Sequence, residues 1–99
     1  MSRFGVYRNP DGDGYLLDVQ ADLLSHMNTR VVVPLLAIDI APTPAGTLNP
    51  VFDIDGTAFS MVTQFMAAIP AQMLKTCVCN LESQRNEITA AMDLLFQGF

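Results

Sequence analysis

Basic side chains are scarce in this 99-residue sequence: Arg3, Arg8, Arg30, Lys75 and Arg85 stand scattered against ten acids, and the net charge is −5. A protein that tracks a phosphate backbone needs clustered cations. Direct nucleic-acid binding is therefore not expected, and any action on DNA has to run through another protein. Histidine occurs once, at His26, with no acid, serine or cysteine at a spacing that suggests catalysis. Gly-rich phosphate loops and serine-nucleophile motifs are missing. No apolar run approaches the roughly 18 residues of a spanning helix. The opening MSRFGVYRNPDGDG holds no apolar signal-peptide stretch, so a cytoplasmic protein without a membrane segment is expected. Only two cysteines are present, Cys77 and Cys79. Two apart in a strand, they would share a face, but a disulfide between them would close a strained ring. With one histidine besides, too few ligands remain for zinc. Reduced thiols, no metal and no cofactor are expected.

What is abundant is apolar surface. Apolar residues make up 51% of the chain and charged residues 15%, where an average domain is about 25% charged. A single domain spanning residues 1–99 has one small core, and an apolar surplus of this kind commonly ends in a subunit or partner interface. The methionines Met61, Met66, Met73 and Met92 are candidates to line such an interface, because flexible thioether side chains tolerate imperfect packing.

The pattern is mostly that of strands. Phe4–Tyr7 and Tyr15–Val19 flank the turn Asn9-Pro10-Asp11-Gly12-Asp13-Gly14 and predict a hairpin. Arg30–Ile38 is a buried strand, with Pro34 suggesting an edge or a bulge. Pro50–Ile54 and Thr57–Val62 flank Asp55-Gly56, a hairpin signal. Gln64–Ile69 reads as ambiguous, with a short helical turn one option, and Ala71–Val78 reads as a last strand. Asn80 is placed to cap a helix whose apolar residues Leu81, Ile88, Ala91, Met92 and Leu95 recur at helical spacing and which Gly98 ends. The expected fold is mainly β with one C-terminal α-helix. The two Asp-Gly stretches are turns rather than calcium loops: counted from Asp11 or Asp53, the required glycine at position six is Leu16 or Ala58, and the required glutamate at position twelve is Asp22 or Gln64.

At the C-terminus, Leu94, Leu95 and Phe96 are consecutive and cannot all lie on one helix stripe. Some must face away from the core, and Phe99 is an aromatic residue at a chain end, where frayed polar residues are the rule. This composition suits two arrangements equally: Leu95 packed inside with Phe96 capping the core and Phe99 disordered, or a tail that enters a partner's groove.

Several stretches together resemble the CcdB family of toxins: the opening Phe-x-Val-Tyr strand, Asp18-Val19-Gln20-Ala21-Asp22-Leu23-Leu24, Arg30-Val31-Val32-Val33-Pro34-Leu35, Asn49-Pro50-Val51-Phe52-Asp53-Ile54, Met66-Ala67-Ala68-Ile69-Pro70, and Arg85-Asn86-Glu87-Ile88 through Leu94-Leu95-Phe96-Gln97-Gly98-Phe99. Each stretch is weak alone, but the ordered set is specific and runs from end to end. The resemblance implies an SH3-like β-barrel with a C-terminal helix and a homodimer. It implies a toxin that binds the A subunit of DNA gyrase and traps it on cleaved DNA, and that catalyses nothing itself. It also implies an antitoxin of the CcdA type, which releases the toxin from gyrase and joins it in repressing their operon, so that DNA is touched only indirectly.

On this resemblance the gyrase-binding positions are Leu23, Leu24, Asp93, Phe96, Gln97, Gly98 and Phe99. The chain departs from the family's usual forms at Gln97, where the family has Trp, at Phe99 (Ile), at Asp93 (Asn) and at Ala21 (Ser). Gln97 cannot stack on a partner's cation as an indole does. Antitoxins are usually disordered segments that fold on binding, and their candidate contacts here are Arg8, Asn9, Asp11 and Asp13 near the first hairpin. Met61, Met66 and Met92 are the candidates for the dimer interface. Two alternatives stand beside the gyrase toxin. One is a degenerate homologue that dimerises and binds antitoxin without harming gyrase. The other is an endoribonuclease of the MazF type, which shares the barrel; RNA cleavage needs cationic and acid–base groups around the phosphate, and this acidic chain offers isolated arginines and one histidine.

Overall fold

The computed structural model describes residues 3–24 and 26–98. Seven short strands form one sheet: β1 (Gly5–Arg8), β2 (Tyr15–Asp18), β3 (Thr29–Ala37), β4 (Val51–Ile54), β5 (Thr57–Met61), β6 (Ala67–Pro70) and β7 (Cys77–Asn80), followed by the helix α1 (Arg85–Gln97). All pairings are antiparallel, in the order β4-β5-β3-β2-β1-β7, with β6 on β3 beside β5. The sheet curls into a half-barrel, and Ile88 and Ala91 of α1 pack on one of its faces.

Turn chemistry sets the two hairpins, one tight at Asp55-Gly56 and one with a six-residue loop over residues 9–14. Asp55 and Gly56 both have positive φ, 56° and 83°, the requirement of a two-residue turn whose twist matches its strands. Between β1 and β2, Asn9 Oδ1 accepts the Asp11 amide at 3.0 Å, and Gly14 sits at φ 85° where a Cβ would strike the Leu35 carbonyl oxygen.

The alternation of β1 to β3 divides the core. Val6, Leu17, Val33 and Leu35 face α1, together with Phe52, Phe59, Met61, Leu81, Ile88 and Ala91. Tyr7, Leu16 and Val32 face the opposite side, where Leu74 covers them. That cover explains one difference from the sequence reading: Ala71–Met73 is a 3₁₀ turn that folds Leu74 onto the outer face, not the start of a strand. The segment read as ambiguous is a 3₁₀ turn, Thr63–Phe65, followed by β6. Pro34 lies neither on an edge nor in a bulge. Along the side of β3 away from β2, residues 29–32 pair with β6 and residues 35–37 with β5. Pro34 occupies the seam, and its carbonyl accepts the Val62 amide at 3.0 Å. A residue's N–H and C=O point to the same side of a strand, so its missing donor falls where no ladder bond is made.

The helix keeps its expected C-terminal end, but it starts four residues later than the sequence suggests: α1 begins at Arg85 after Gln84, which makes no side-chain cap bond, and Asn80 holds the turn before it instead. Asn80 Oδ1 accepts the Glu82 amide at 2.7 Å, a 3₁₀ turn over Glu82–Gln84 leads into α1, and Gly98, at φ 77°, donates to the Leu94 carbonyl at 3.0 Å. Among the described residues no helix is long and apolar enough to cross a membrane.

Candidate partner-binding surface

Helix geometry sorts the C-terminal residues. Ile88 and Ala91 are buried and Met92 packs against them. Asp93, Phe96 and Gln97, at i, i+3 and i+4, share an exposed face, with Phe96 66% exposed. Leu95, read as part of the inward stripe, is 37% exposed at its edge. Gly98 is exposed, and Phe99 lies outside the described residues.

Leu23 and Leu24 lie on a separate 3₁₀ turn, Asp22–Leu24, that buries none of its residues. Leu23 is 87% exposed and Leu24 42%. The turn is tied to the start of the chain, where the Arg3 amide donates to Asp22 Oδ1 at 2.7 Å, whereas α1 packs on the turns at Gly46–Leu48 and Thr63–Phe65. Among the described residues no hydrogen bond or ion pair joins the two groups.

Under the turn lies a buried polar network. Arg30 Nη2 is 2.7 Å from Asp18 Oδ2 with neither side chain exposed, and Arg30 Nε donates to the same oxygen at 2.9 Å. Asp18 Oδ1 accepts the Gln20 amide at 3.1 Å. Burial pushes the Asp18 carboxyl above its ordinary value, while the bonds from Arg30 and Gln20 pull it back. Arg30 Nη1 is buried without a partner.

At the first hairpin, Asp11 and Asp13 are exposed and Asn9 is half-buried within the turn. The Arg8 guanidinium lies 6.0 Å from the Tyr15 ring and opens onto a cleft of about 280 Å³ lined also by Asp53, Asp55 and Asn80. A second, more apolar groove of about 300 Å³ lies between Thr47 and Pro50 on one side and Asn86, Glu87 and Ala90 of α1 on the other. Both join segments far apart in the chain, so neither leaves a local sequence signal.

One methionine has to be reassigned. Met61, expected at a subunit interface, is fully buried in the core, because its place on β5 points it under α1; its side chain is closed to any partner. Met66 and Met92 are half-buried against that core.

The two cysteines do not share a face. Val6 stands opposite Cys79 and Tyr7 opposite Cys77, so Val78 is the extra residue of a bulge. Cys79 packs on the core below α1, whereas Cys77 lies beside the Tyr7 hydroxyl. Burial pushes the Cys79 thiol up, with Cys77 and Asp55 adding to it, and raises the Tyr7 phenol, with Cys77 and Asp18 adding to it. Among the described residues no group of three potential metal ligands forms.

The half-barrel thus leaves Leu23, Leu24 and Phe96 exposed, and the family model of the CcdB protein matches the chain over residues 3–98. The chain belongs to the CcdB family. Membership supports a toxin of a toxin–antitoxin pair. The fold is shared more widely than the sequence. A mycobacterial endoribonuclease in complex with its cognate antitoxin superposes with a TM-score of 0.75 at 16% identity, over 94% of this chain and 91% of that one. A further endoribonuclease from a mycobacterial species gives 0.75 at 15%, over 94% and 88%. The Mycobacterium tuberculosis toxin MazF-mt6 gives 0.70 at 16%, over 93% of each chain. At such identities the likeness is one of fold.

Proposed function

We propose that this CcdB-family chain is a gyrase-poisoning toxin. It binds the A subunit of DNA gyrase through the exposed face of Asp93, Phe96 and Gln97, the tail beyond it, and the Leu23–Leu24 turn, and it traps the enzyme on cleaved DNA. It works as a cytoplasmic homodimer, with Met66 and Met92 toward the second copy, and catalyses no reaction. A CcdA-like antitoxin binds near Arg8, Asn9, Asp11 and Asp13, releases the toxin from gyrase and joins it in repressing their operon.

The observation that carries this reading is the exposure of Phe96 and Leu23 at the positions the family uses for gyrase. Seating one such side chain in a partner's pocket is worth about 1.5–3 kcal/mol, and aromatic anchors of this kind dominate interface energetics. The test is induction of the gene in cells with ordinary gyrase A and in cells whose gyrase A carries a substitution at the contact site. Growth arrest in the first strain alone supports the reading. No arrest in either leaves a homologue that binds antitoxin without harming gyrase, a reading that Gln97 in the family's Trp position favours.

A second reading, ribonuclease activity, is favoured by the endoribonuclease neighbours and by the cleft in which Arg8 stands with Asp53 and Asp55. Sequence-specific cleavage of RNA by the purified protein would establish it in place of gyrase poisoning.

A further inference from the structure

The Leu23–Leu24 turn presents the most exposed large apolar side chain among the described residues, yet it buries none of its own residues. A turn without a hydrophobic anchor keeps its shape only through polar contacts. Among the described residues, the Leu24 amide donates to the Ala21 carbonyl at 2.9 Å, the Met27 amide to the Leu24 carbonyl at 3.1 Å, and the Arg3 amide to Asp22 Oδ1 at 2.7 Å.

The far end of the turn is held by Gln20, a polar side chain only 8% exposed. Its Nε2 donates to the Leu24 carbonyl at 3.0 Å, and its Oε1 accepts the Val31 amide of β3 at 3.1 Å. The side-chain amide thus bridges the central strand to the last carbonyl of the turn. Its main chain is fixed at both ends by the buried ion pair: Asp18 Oδ1 accepts its amide at 3.1 Å, and Arg30 Nη2 donates to its carbonyl at 3.4 Å. The order of attachment runs from the Asp18–Arg30 pair to the Gln20 backbone, through the Gln20 side chain, to Leu24.

We infer that Gln20 is a positioning residue for partner binding: its carboxamide holds the Leu23–Leu24 turn in one conformation, so that the ordering cost is met before the partner arrives. This inference rests on the gyrase-binding role proposed for that turn. Preorganising a contact segment raises affinity by removing an entropy cost rather than by adding a contact. Gln20 itself need not touch the partner.

Gln20→Glu isolates the effect, since a carboxylate can still accept the Val31 amide but has no donor for the Leu24 carbonyl. Two measurements on the purified full chain decide the matter: backbone order parameters of Leu23 and Leu24 by NMR, and affinity for purified gyrase A, each beside a melting curve. The expected result is a fall of the order parameters from the rigid range, about 0.85, toward about 0.6. It is joined by a loss of roughly tenfold in gyrase affinity, the scale of one hydrogen bond, while the protein stays folded at the assay temperature. Unchanged order parameters overturn the inference, as does an affinity that falls only in step with the folded fraction. If the wild-type chain fails to bind gyrase A, the proposed function falls instead. The order parameters alone then decide whether Gln20 holds the turn.

Discussion

The Arg30 guanidinium meets the Asp18 carboxylate at 2.7 Å with both side chains wholly shielded from solvent. Breaking such a pair leaves one buried charge without its partner, which costs about 3–5 kcal/mol. Asp18→Asn and Arg30→Met are each expected to destabilise the protein on that scale in urea unfolding. The double replacement Asp18→Leu with Arg30→Met is expected to cost less than the sum, because it removes both desolvation penalties and the unpartnered Arg30 Nη1.

The same carboxylate makes a pH prediction. Burial raises Asp18 above its ordinary value of 3.8, so the folded state binds its proton more tightly than the unfolded chain does. The contribution of Asp18 protonation to stability is fully present below 3.8 and is lost as pH rises through the folded value. The stability difference between wild type and Asp18→Asn, followed by urea unfolding across that window, should change with this sign. The Asp18 carboxyl resonance should titrate above a free aspartate.

Gly14 and Gly12 stand two apart in one turn and differ in what they tolerate. Gly14→Ala meets both a left-handed backbone, φ 85°, and the Leu35 carbonyl, and is expected to cost about 2 kcal/mol or more. Nothing lies near the Cβ direction of Gly12, and Gly12→Ala should stay within about 0.5 kcal/mol. Urea midpoints of the two variants give the comparison.

At the contact surface, stability and binding should separate. Phe96→Ala and Leu23→Ala remove exposed side chains and should leave stability within about 0.5 kcal/mol, yet each should weaken gyrase A binding by about 2 kcal/mol as an interface anchor. Gln97→Trp should strengthen binding by about 0.5–2 kcal/mol if a cation faces it. Ile88→Ala, by contrast, opens the core under α1 and should cost about 2–5 kcal/mol in stability. Calorimetric titration beside thermal melting checks all four.

The two thiols should react unequally. Cys77 is exposed and Cys79 partly buried with a raised pKa, so a thiol reagent at neutral pH is expected to modify Cys77 first and Cys79 much more slowly. Mass spectrometry of partially labelled protein reads the order directly.

Most of the strands were legible because their signals are local. Asp55-Gly56 and the Asn9–Gly14 turn name their hairpins through local turn chemistry, and Gly98 names the end of the helix, whereas Asn80 bonds a 3₁₀ turn and α1 starts only at Arg85. The failures share a cause: each depends on a partner far away in the chain. Pro34 looks like an edge residue until β5 and β6 meet beside it. Ala71–Leu74 looks extended until Tyr7, Leu16 and Val32 present a face to cover. Cys77 and Cys79 look like neighbours until Val78 bulges against β1. Met61 passes for an interface residue because composition cannot tell which face of β5 the helix will take. For the proposed contact surface, Asp93, Phe96 and Gln97 came from the family resemblance, and only the helix places them on one exposed face. The role of Gln20 was invisible, because its two bonds run to Leu24 and Val31 across a fold not yet formed.

The three outer strands β4, β6 and β7 are each four residues long. An apolar-rich protein with open sheet margins risks pairing margin to margin into aggregates. Here each margin is spoiled in its own way: Asp53 stands exposed in β4, β6 ends in Pro70, and β7 is broken by its bulge at Val78. Straightening that bulge by deleting Val78 would lengthen one regular edge, and the expected price is turbidity at concentrations the parent chain withstands.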